Sequence, residues 1–425
     1  MPSKLSRNSY RIGFVSTRFS GTDGVSLETQ KWEQVLEGLG HQCFFFAGES
    51  ERLHGESRTV PEAHFKHPVV EAIYKDAFSQ SRRSIIITKQ IDDLKDHLKE
   101  QLYSFVVDFG IHLLVVENAL AIPLNLPLGI ALTEFIAETA FPAIAHHHDF
   151  FWERKRFLTN CVWDYLNMAF PPHLPTIRHV VINSSGANQL SLRTGISAMM
   201  IPNVMDFDHP PPPPDEYVAD LRKDVGVMPD EYFFLQPTRV VQRKGIEHAI
   251  ELIHRMSLKA RLVISHASGD EGHDYQERVH NYADLLNVPT TFVSELIREQ
   301  RGTTPDGRKV YTLWDVYPMC DMVTYPSEIE GFGNAFLEAI YYRKPIVVNN
   351  YSIFAIDIKP KGFRVIEFDG YVTDETVRQV EESLLNPLLA AEMAEQNYEL
   401  ARRYYSYAML ERRLQTLLYE CFGEK

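Results

Sequence analysis

Short apolar runs alternate with longer amphipathic stretches along this 425-residue chain. Residues 11–16, 42–47, 111–116, 143–147 and 179–182 are compact apolar runs bounded by turn residues, and they read as buried strands. Between them, 27–39 carries Leu27, Val35, Leu36 and Leu39 at helical spacing, and 85–107, 126–139 and 157–170 repeat that period. The second half does the same. Strands are expected at 232–235, 261–264, 291–293, 322–325 and 345–348, and helices at 245–256 and 311–319. From Asp374 onward the pattern is helical throughout, with Leu384, Leu385, Leu388, Leu389, Leu410, Leu414, Leu417 and Leu418 in apolar stripes. Such alternation implies parallel sheets covered on both faces, an α/β fold.

The two halves meet near five consecutive prolines, Pro210 to Pro214, which join neither a helix nor a central strand. Together with the chain length they predict an N-terminal Rossmann-like domain at 1–208 and a C-terminal one at 209–405. Residues 406–425 are expected to be a helix packing back toward the first domain. Doubly wound sheets bind ligands at the carboxyl ends of their strands.

Composition narrows the function. The 44% hydrophobic share supports real cores, and 43 Lys and Arg against 57 Asp and Glu give a net charge of -14, unfavourable for nucleic-acid binding. Cys43, Cys161, Cys320 and Cys421 are scattered and form no C-x-x-C pair, so neither a disulfide framework nor structural zinc is expected. No signal-peptide pattern and no long apolar run is visible, which predicts a cytoplasmic protein. Trp152, Arg154, Lys155, Arg156 and Phe157 leave peripheral contact with lipid headgroups at the inner membrane face open.

The strongest chemical signal runs from Tyr325 to Ala339. A strand ends, Gly331 and Gly333 follow, and a helix starts near Asn334. Glycines allow a tight turn and close backbone approach, and the free N–H groups of a helix start suit a diphosphate. Glu330 and Glu338 flank that start, at most ~12 Å apart along the axis. Two carboxylates so placed can hold hydroxyls on either side of a phosphate.

A second loop, Pro237 to Gly245, brings Arg239, Arg243 and Lys244 between a strand and a helix, where cations converge on phosphate oxygens. A third, Ser20 to Ser26, holds Gly21, Asp23 and Gly24 after the first strand. A fourth, His146-His147-His148-Asp149, ends a strand. Successive strand residues point to opposite faces, so at most two of these histidines share a site, and no metal is expected. Glu117 and Asn118 end another strand.

The segment E-G-F-G-N-A-F-L-E from Glu330 to Glu338 resembles the Glu-x7-Glu signature of the retaining family 4 glycosyltransferases, which have the GT-B fold. The resemblance implies two Rossmann-like domains facing across a cleft, and makes 1–208 the acceptor side and 209–405 the donor side. It assigns Glu330 to the donor sugar and Glu338 to the ribose hydroxyls. Arg239, Lys244 and Gly245 match the family's Arg-x4-Lys-Gly element, while Arg243 is an extra charge with no assigned role. The loop at Gly24 is similar to the family's glycine loop but lacks its adjacent glycine pair, since Asp23 precedes Gly24. His148 matches the element near the transferred sugar, and Phe292 to Ile297 falls where the base is bound by main chain. Residues 201–206 and 181–185 are similar to two further family elements.

The resemblance covers nearly the whole chain and is densest from Tyr232 to Asn349. It implies that Glu330, His148, Arg239 and Lys244 are catalytic, and that Gly24, Ile297, Gly331, Phe332, Gly333, Asn334 and Glu338 complete the donor site. Asp23, Asn118 and His148 are the acceptor-side candidates. The implied reaction is transfer of a hexose, with UDP-glucose ahead of GDP-mannose, to a sugar, glycolipid or small hydroxylated acceptor. It needs no metal or other cofactor. A nucleotide-sugar epimerase of the same architecture and a non-catalytic sugar-nucleotide-binding protein stand as alternatives.

Overall fold

The computed structural model describes residues 9–21, 24–52, 55–268 and 274–423. The chain divides into two compact units, Met1–Asn203 with Tyr407–Lys425, and Val204–Ser406.

The first unit is built on seven strands: β1 (Arg11–Val15), β2 (Gln42–Ala47), β3 (Ser57–Thr59), β4 (Leu113–Glu117), β5 (Ala143–His147), β6 (Ile177–Val181) and β7 (Ala198–Met200). Their order is β3-β2-β1-β4-β5-β6-β7, and every pairing is parallel. Strands buried on both faces need continuous apolar sequence, and β4, L-L-V-V-E, is buried at all positions including its glutamate. Helix Ile85–Asp108 covers one face through Ile87, Ile91, Leu94, Leu98, Leu102 and Phe105, spaced three or four residues apart. Ser84 caps it, its hydroxyl accepting from the Ile87 N–H at 3.3 Å. Each such aliphatic side chain contributes roughly 1.5–3 kcal/mol on burial. Helix Tyr407–Phe422 closes this unit with Leu410, Leu414, Leu417 and Leu418 buried, and Phe422 stacks on Tyr10 with centroids 4.2 Å apart.

The second unit repeats the plan with β8 (Tyr232–Gln236), β9 (Ala260–Ile264), β10 (Thr290–Phe292), β13 (Met322–Tyr325), β14 (Ile346–Asn349) and β15 (Ile366–Phe368) in the order β10-β9-β8-β13-β14-β15, again all parallel. A small antiparallel hairpin, β11 (Gly302–Thr303) and β12 (Lys309–Val310), stands apart from the sheet. In each sheet the strand order reverses once, between β1 and β4 and between β8 and β13. Crevices for ligands form at such reversals.

Three expectations change. The helix expected over 157–170 is shortened to Trp163–Ala169, because the Asn160 side chain caps the preceding turn. Its amide donates to the Phe157 carbonyl at 2.9 Å and its oxygen accepts from the Val162 N–H at 3.0 Å. The continuous helical tail is three helices, Asp374–Leu385, Pro387–Tyr405 and Tyr407–Phe422. Pro387 lacks the N–H that would continue the first, and Ser406 is extended between the second and third. The edge strands β3, β7 and β15 also lie where no strand is expected. The proline tract has no regular secondary structure over 210–215. Among the described residues no helix is long and apolar enough to cross a membrane.

Candidate functional site

At the carboxyl ends of β8 and β13 the second unit gathers the Arg239 loop and the Glu330 loop. A buried network fixes their origin. The Thr324 hydroxyl donates to Gln236 Oε1 at 2.7 Å, and Gln236 Nε2 donates to Thr238 Oγ1 at 2.7 Å. Asn349, ending β14, donates from Nδ2 to the Ser327 carbonyl at 3.2 Å, holding the second loop down.

Two glycines make the geometry. Gly245 has φ +56°, and a Cβ there would lie 2.7 Å from the Pro326 carbonyl oxygen, so it lets the two loops meet. Gly333 has φ +128°, and a Cβ there would lie 2.6 Å from Tyr351 Oη. Tyr351 donates to the Phe332 carbonyl at 2.7 Å, fixing the turn that starts helix Asn334–Tyr341. Phe332 is buried beneath the turn, Gly331 is exposed, and Asn334 is half-buried at the first helical position.

Within this frame Lys244 is buried, and it forms an ion pair with Glu330, whose side chain is only 9% exposed. Arg243 Nη1 adds a second cation, 3.4 Å from Glu330 Oε2 and 3.3 Å from the Ile329 carbonyl. Arg243, without a role in the sequence, thus holds the far side of Glu330. Burial pushes the Glu330 carboxyl up, but Lys244 and Arg243 outweigh it and hold it below its ordinary value. Burial draws the Lys244 ammonium down against the pull of Glu330. Arg239 stands exposed beside the cluster, and among the described residues it forms no ion pair.

His266, just past β9, was not among the sequence candidates. Burial, then the charges of Arg239 and Lys244, push it down to about 4, so it stays neutral near pH 7. Its Nδ1 lies 2.8 Å from Ser265 Oγ. Its signal was a polar pair at a strand end. Glu338, one turn into its helix, is half-buried and accepts from the Tyr317 hydroxyl at 2.7 Å. Ile297 is buried and bridges to Tyr311, and the next N–H, of Arg298, donates to the Tyr311 carbonyl at 2.9 Å. The structure therefore brings Glu330, Lys244 and Arg243 into one contact set.

The first unit holds the remaining candidates. β4 and β5 pair with Glu117 opposite His146. Alternation sends His146 and His148 to one face and His147 to the other, where its Nε2 lies 2.9 Å from His179 Nδ1. Glu117 is fully buried. His148 Nε2 lies 3.2 Å from its Oε2, and His146 Nδ1 lies 2.9 Å from the same oxygen without the alignment of a hydrogen bond. Trp32 stacks on His146 with centroids 4.3 Å apart.

Burial pushes Glu117 up, but the histidines more than compensate and hold its carboxyl down to about 2. His146 is lowered by burial. For His148 burial is overcome by the bond to Glu117 and by the charges of Glu117, Glu28 and Asp149, and it is raised. The donor atoms of Glu117, His146 and His148 all lie within 4.8 Å of one another, so among the described residues these three can gather on one cation.

Asn118 adopts φ 60°, a left-handed conformation that Asn tolerates. Its oxygen accepts from the His148 N–H at 3.1 Å and its amide donates to Asp149 at 3.0 Å. Asn118 and His148 are thus one hydrogen-bonded unit. Gly24 opens helix Gly24–Gly38 and is exposed. Asp23 lies outside the described residues.

Known proteins resemble this chain in sequence and in fold. Residues 304–400 match the family model for glycosyl transferases group 1. The chain is 30% identical to the mannosylglucosylglycerate synthase of Thermotoga maritima, over 94% of this chain and 98% of that one. It is 29% identical to the mannosylglucosylglycerate synthase of Petrotoga mobilis, over 84% and 86%. In fold it is similar to a glycosyltransferase from Rickettsia africae, with a TM-score of 0.69 and 14% identity over 98% of this chain and 100% of that chain. With two Rossmann-like parallel sheets and a full-length glycosyltransferase relative, the chain belongs to the group 1, or family 4, glycosyltransferases of the GT-B fold and is a sugar-transferring enzyme.

Proposed function

We propose that this enzyme moves a mannosyl group from a nucleotide diphosphate donor to a hydroxyl of glucosylglycerate, with retention at the anomeric carbon. The observation that carries donor binding is the Glu330–Lys244–Arg243 ion-pair cluster on a strand-loop-helix turn. The choice of sugar and acceptor is supported by the likeness, over 94% of the chain, to a mannosylglucosylglycerate synthase.

In this reading the diphosphate rests on the N–H groups that open helix Asn334–Tyr341, at Gly331 to Asn334. Arg239 and the ammonium of Lys244 take up negative charge as the leaving diphosphate departs, an interaction that strengthens in the transition state. An ammonium has three donors, so Lys244 serves Glu330 and a phosphate oxygen together. Glu330, kept ionised by its two cations, accepts from hydroxyls of the transferred sugar. Glu338 accepts from the ribose hydroxyls, and main chain near Ile297 meets the base. His148 and Asn118 bind hydroxyls of the reacting sugars, and the leaving phosphate takes the acceptor proton.

The test is an assay of GDP-mannose and UDP-glucose, each with glucosylglycerate, with the anomeric configuration of the product read by NMR. Formation of an α-mannosyl product from an α-linked donor is expected. Product from UDP-glucose alone would move the sugar assignment, and an inverted product would remove retention. Wild-type rates in both Glu330→Ala and Arg239→Ala would end the site assignment.

A further inference from the structure

Tyr317 is a fully buried phenol that the donor site described above does not use. It lies on the short helix Leu313–Met319 before β13, whereas Glu338 lies on the helix after it. Its hydroxyl donates to Glu338 Oε2 at 2.7 Å. Burial, then the charge of Glu338, push the phenol well above its ordinary value, so it keeps its proton and remains the donor.

Packing sets the direction of this bond. The Tyr342 ring lies parallel to Tyr317, with centroids 5.2 Å apart and an interplanar angle of 0°. The end of the Tyr317 helix is pinned by Lys344, whose Nζ donates to the Pro318 carbonyl at 2.7 Å and the Cys320 carbonyl at 2.9 Å. A glutamate on a helix surface ordinarily samples several rotamers, and ordering it on binding a ligand has an entropic cost. A rigid donor at one carboxylate oxygen removes much of that cost beforehand. A carboxylate retains further lone pairs for hydroxyls.

We propose that Tyr317 is a positioning residue for donor binding: it holds the Glu338 carboxylate in the orientation that accepts from the two hydroxyls of a nucleotide ribose. The proposal rests on the reading that Glu338 meets the ribose.

The experiment is calorimetric binding of GDP, UDP and their 2′-deoxy counterparts to the native chain, Tyr317→Phe and Glu338→Gln, using the base that binds more tightly. The native chain is expected to prefer the ribonucleotide. In Tyr317→Phe the ribonucleotide Kd rises about tenfold, while the 2′-deoxynucleotide Kd changes by less than about twofold, so the preference shrinks. An inter-helix tie with no part in recognition would weaken both nucleotides equally, and that result overturns the proposal, as does an unchanged preference.

If Glu338→Gln keeps the preference, or the native chain binds none of the four, the donor reading fails first. If Glu338→Gln loses the preference and Tyr317→Phe keeps it, the positioning role alone fails. Should Tyr317→Phe unfold, 4-aminophenylalanine in place of Tyr317 keeps the ring and an N–H donor. It is expected to retain the native preference, and a lost preference in that folded protein counts against the role.

Discussion

Both units bury a glutamate at the carboxyl end of their parallel sheet, and the two solve the same electrostatic problem differently. Glu330 faces an ammonium and a guanidinium, those of Lys244 and Arg243. Glu117 faces His146 and His148, whose charge depends on pH. A buried carboxylate needs a partner, since desolvation otherwise drives it to protonate. Lys244 and Arg243 hold the Glu330 carboxyl below its ordinary value against the effect of burial. Imidazoles make the first unit's cluster responsive to protons.

The contrast is tested most severely by Glu330→Ala. It leaves Lys244 buried without its carboxylate, and such a loss costs about 3–5 kcal/mol. A denaturant titration should show that decrease together with loss of transfer, and native-like stability would mean the pair is not buried in solution. Gly333→Ala comes next. It strains φ +128° and pushes a methyl group at Tyr351, costing about 1–3 kcal/mol, and thermal unfolding with nucleotide present and absent reads the fold and the turn separately.

Glu117→Gln is expected to cost about 1–3 kcal/mol near neutrality, and its pH dependence carries the contrast. With Glu117 held down to about 2, its contribution is present above its unfolded value of 4.5 and is lost as pH falls toward about 2. His148 is raised, so its contribution is complete below its unfolded value of 6.5 and is lost as pH rises through the raised value. The stability difference between native and Glu117→Gln chains should therefore shrink at both extremes, and a flat difference from acid to alkali would remove the pairing. Arg239→Ala should change stability by no more than about 0.5 kcal/mol, because the side chain is exposed. Its rate of transfer should nonetheless fall by about 100-fold, and a kinetic assay on the folded variant decides this.

The central strands were legible because burial on both faces writes a continuous apolar run. Residues 42–47, 143–147 and 322–325 are strands at the bounds read from the sequence. The three-residue edge strands β3, β7 and β15 were not, since S-R-T and A-M-M carry no periodicity that separates them from loop. In the site, the glycines and the helix start after Tyr325 were readable from local spacing. The separation of His147 from its two neighbours followed from strand alternation. Contacts across long sequence distances were not readable. Nothing local places Lys244 and Arg243 on Glu330, 86 and 87 residues away, or Tyr317 on Glu338 across a strand. The sequence named charges that each suit a ligand, and the fold first turns several of them toward one another.

The last helix has a consequence for how the chain is made. Tyr407–Phe422 belongs to the unit that begins the sequence, while Val204–Ser406 is contiguous. A nascent chain therefore emerges with all of 204–406 before the residues of Tyr407–Phe422, whose four buried leucines belong to the first unit. Limited proteolysis of chains stalled after Ser406 should find 204–406 protected earlier than 9–203; the reverse order would show that the N-terminal sheet closes without its final helix.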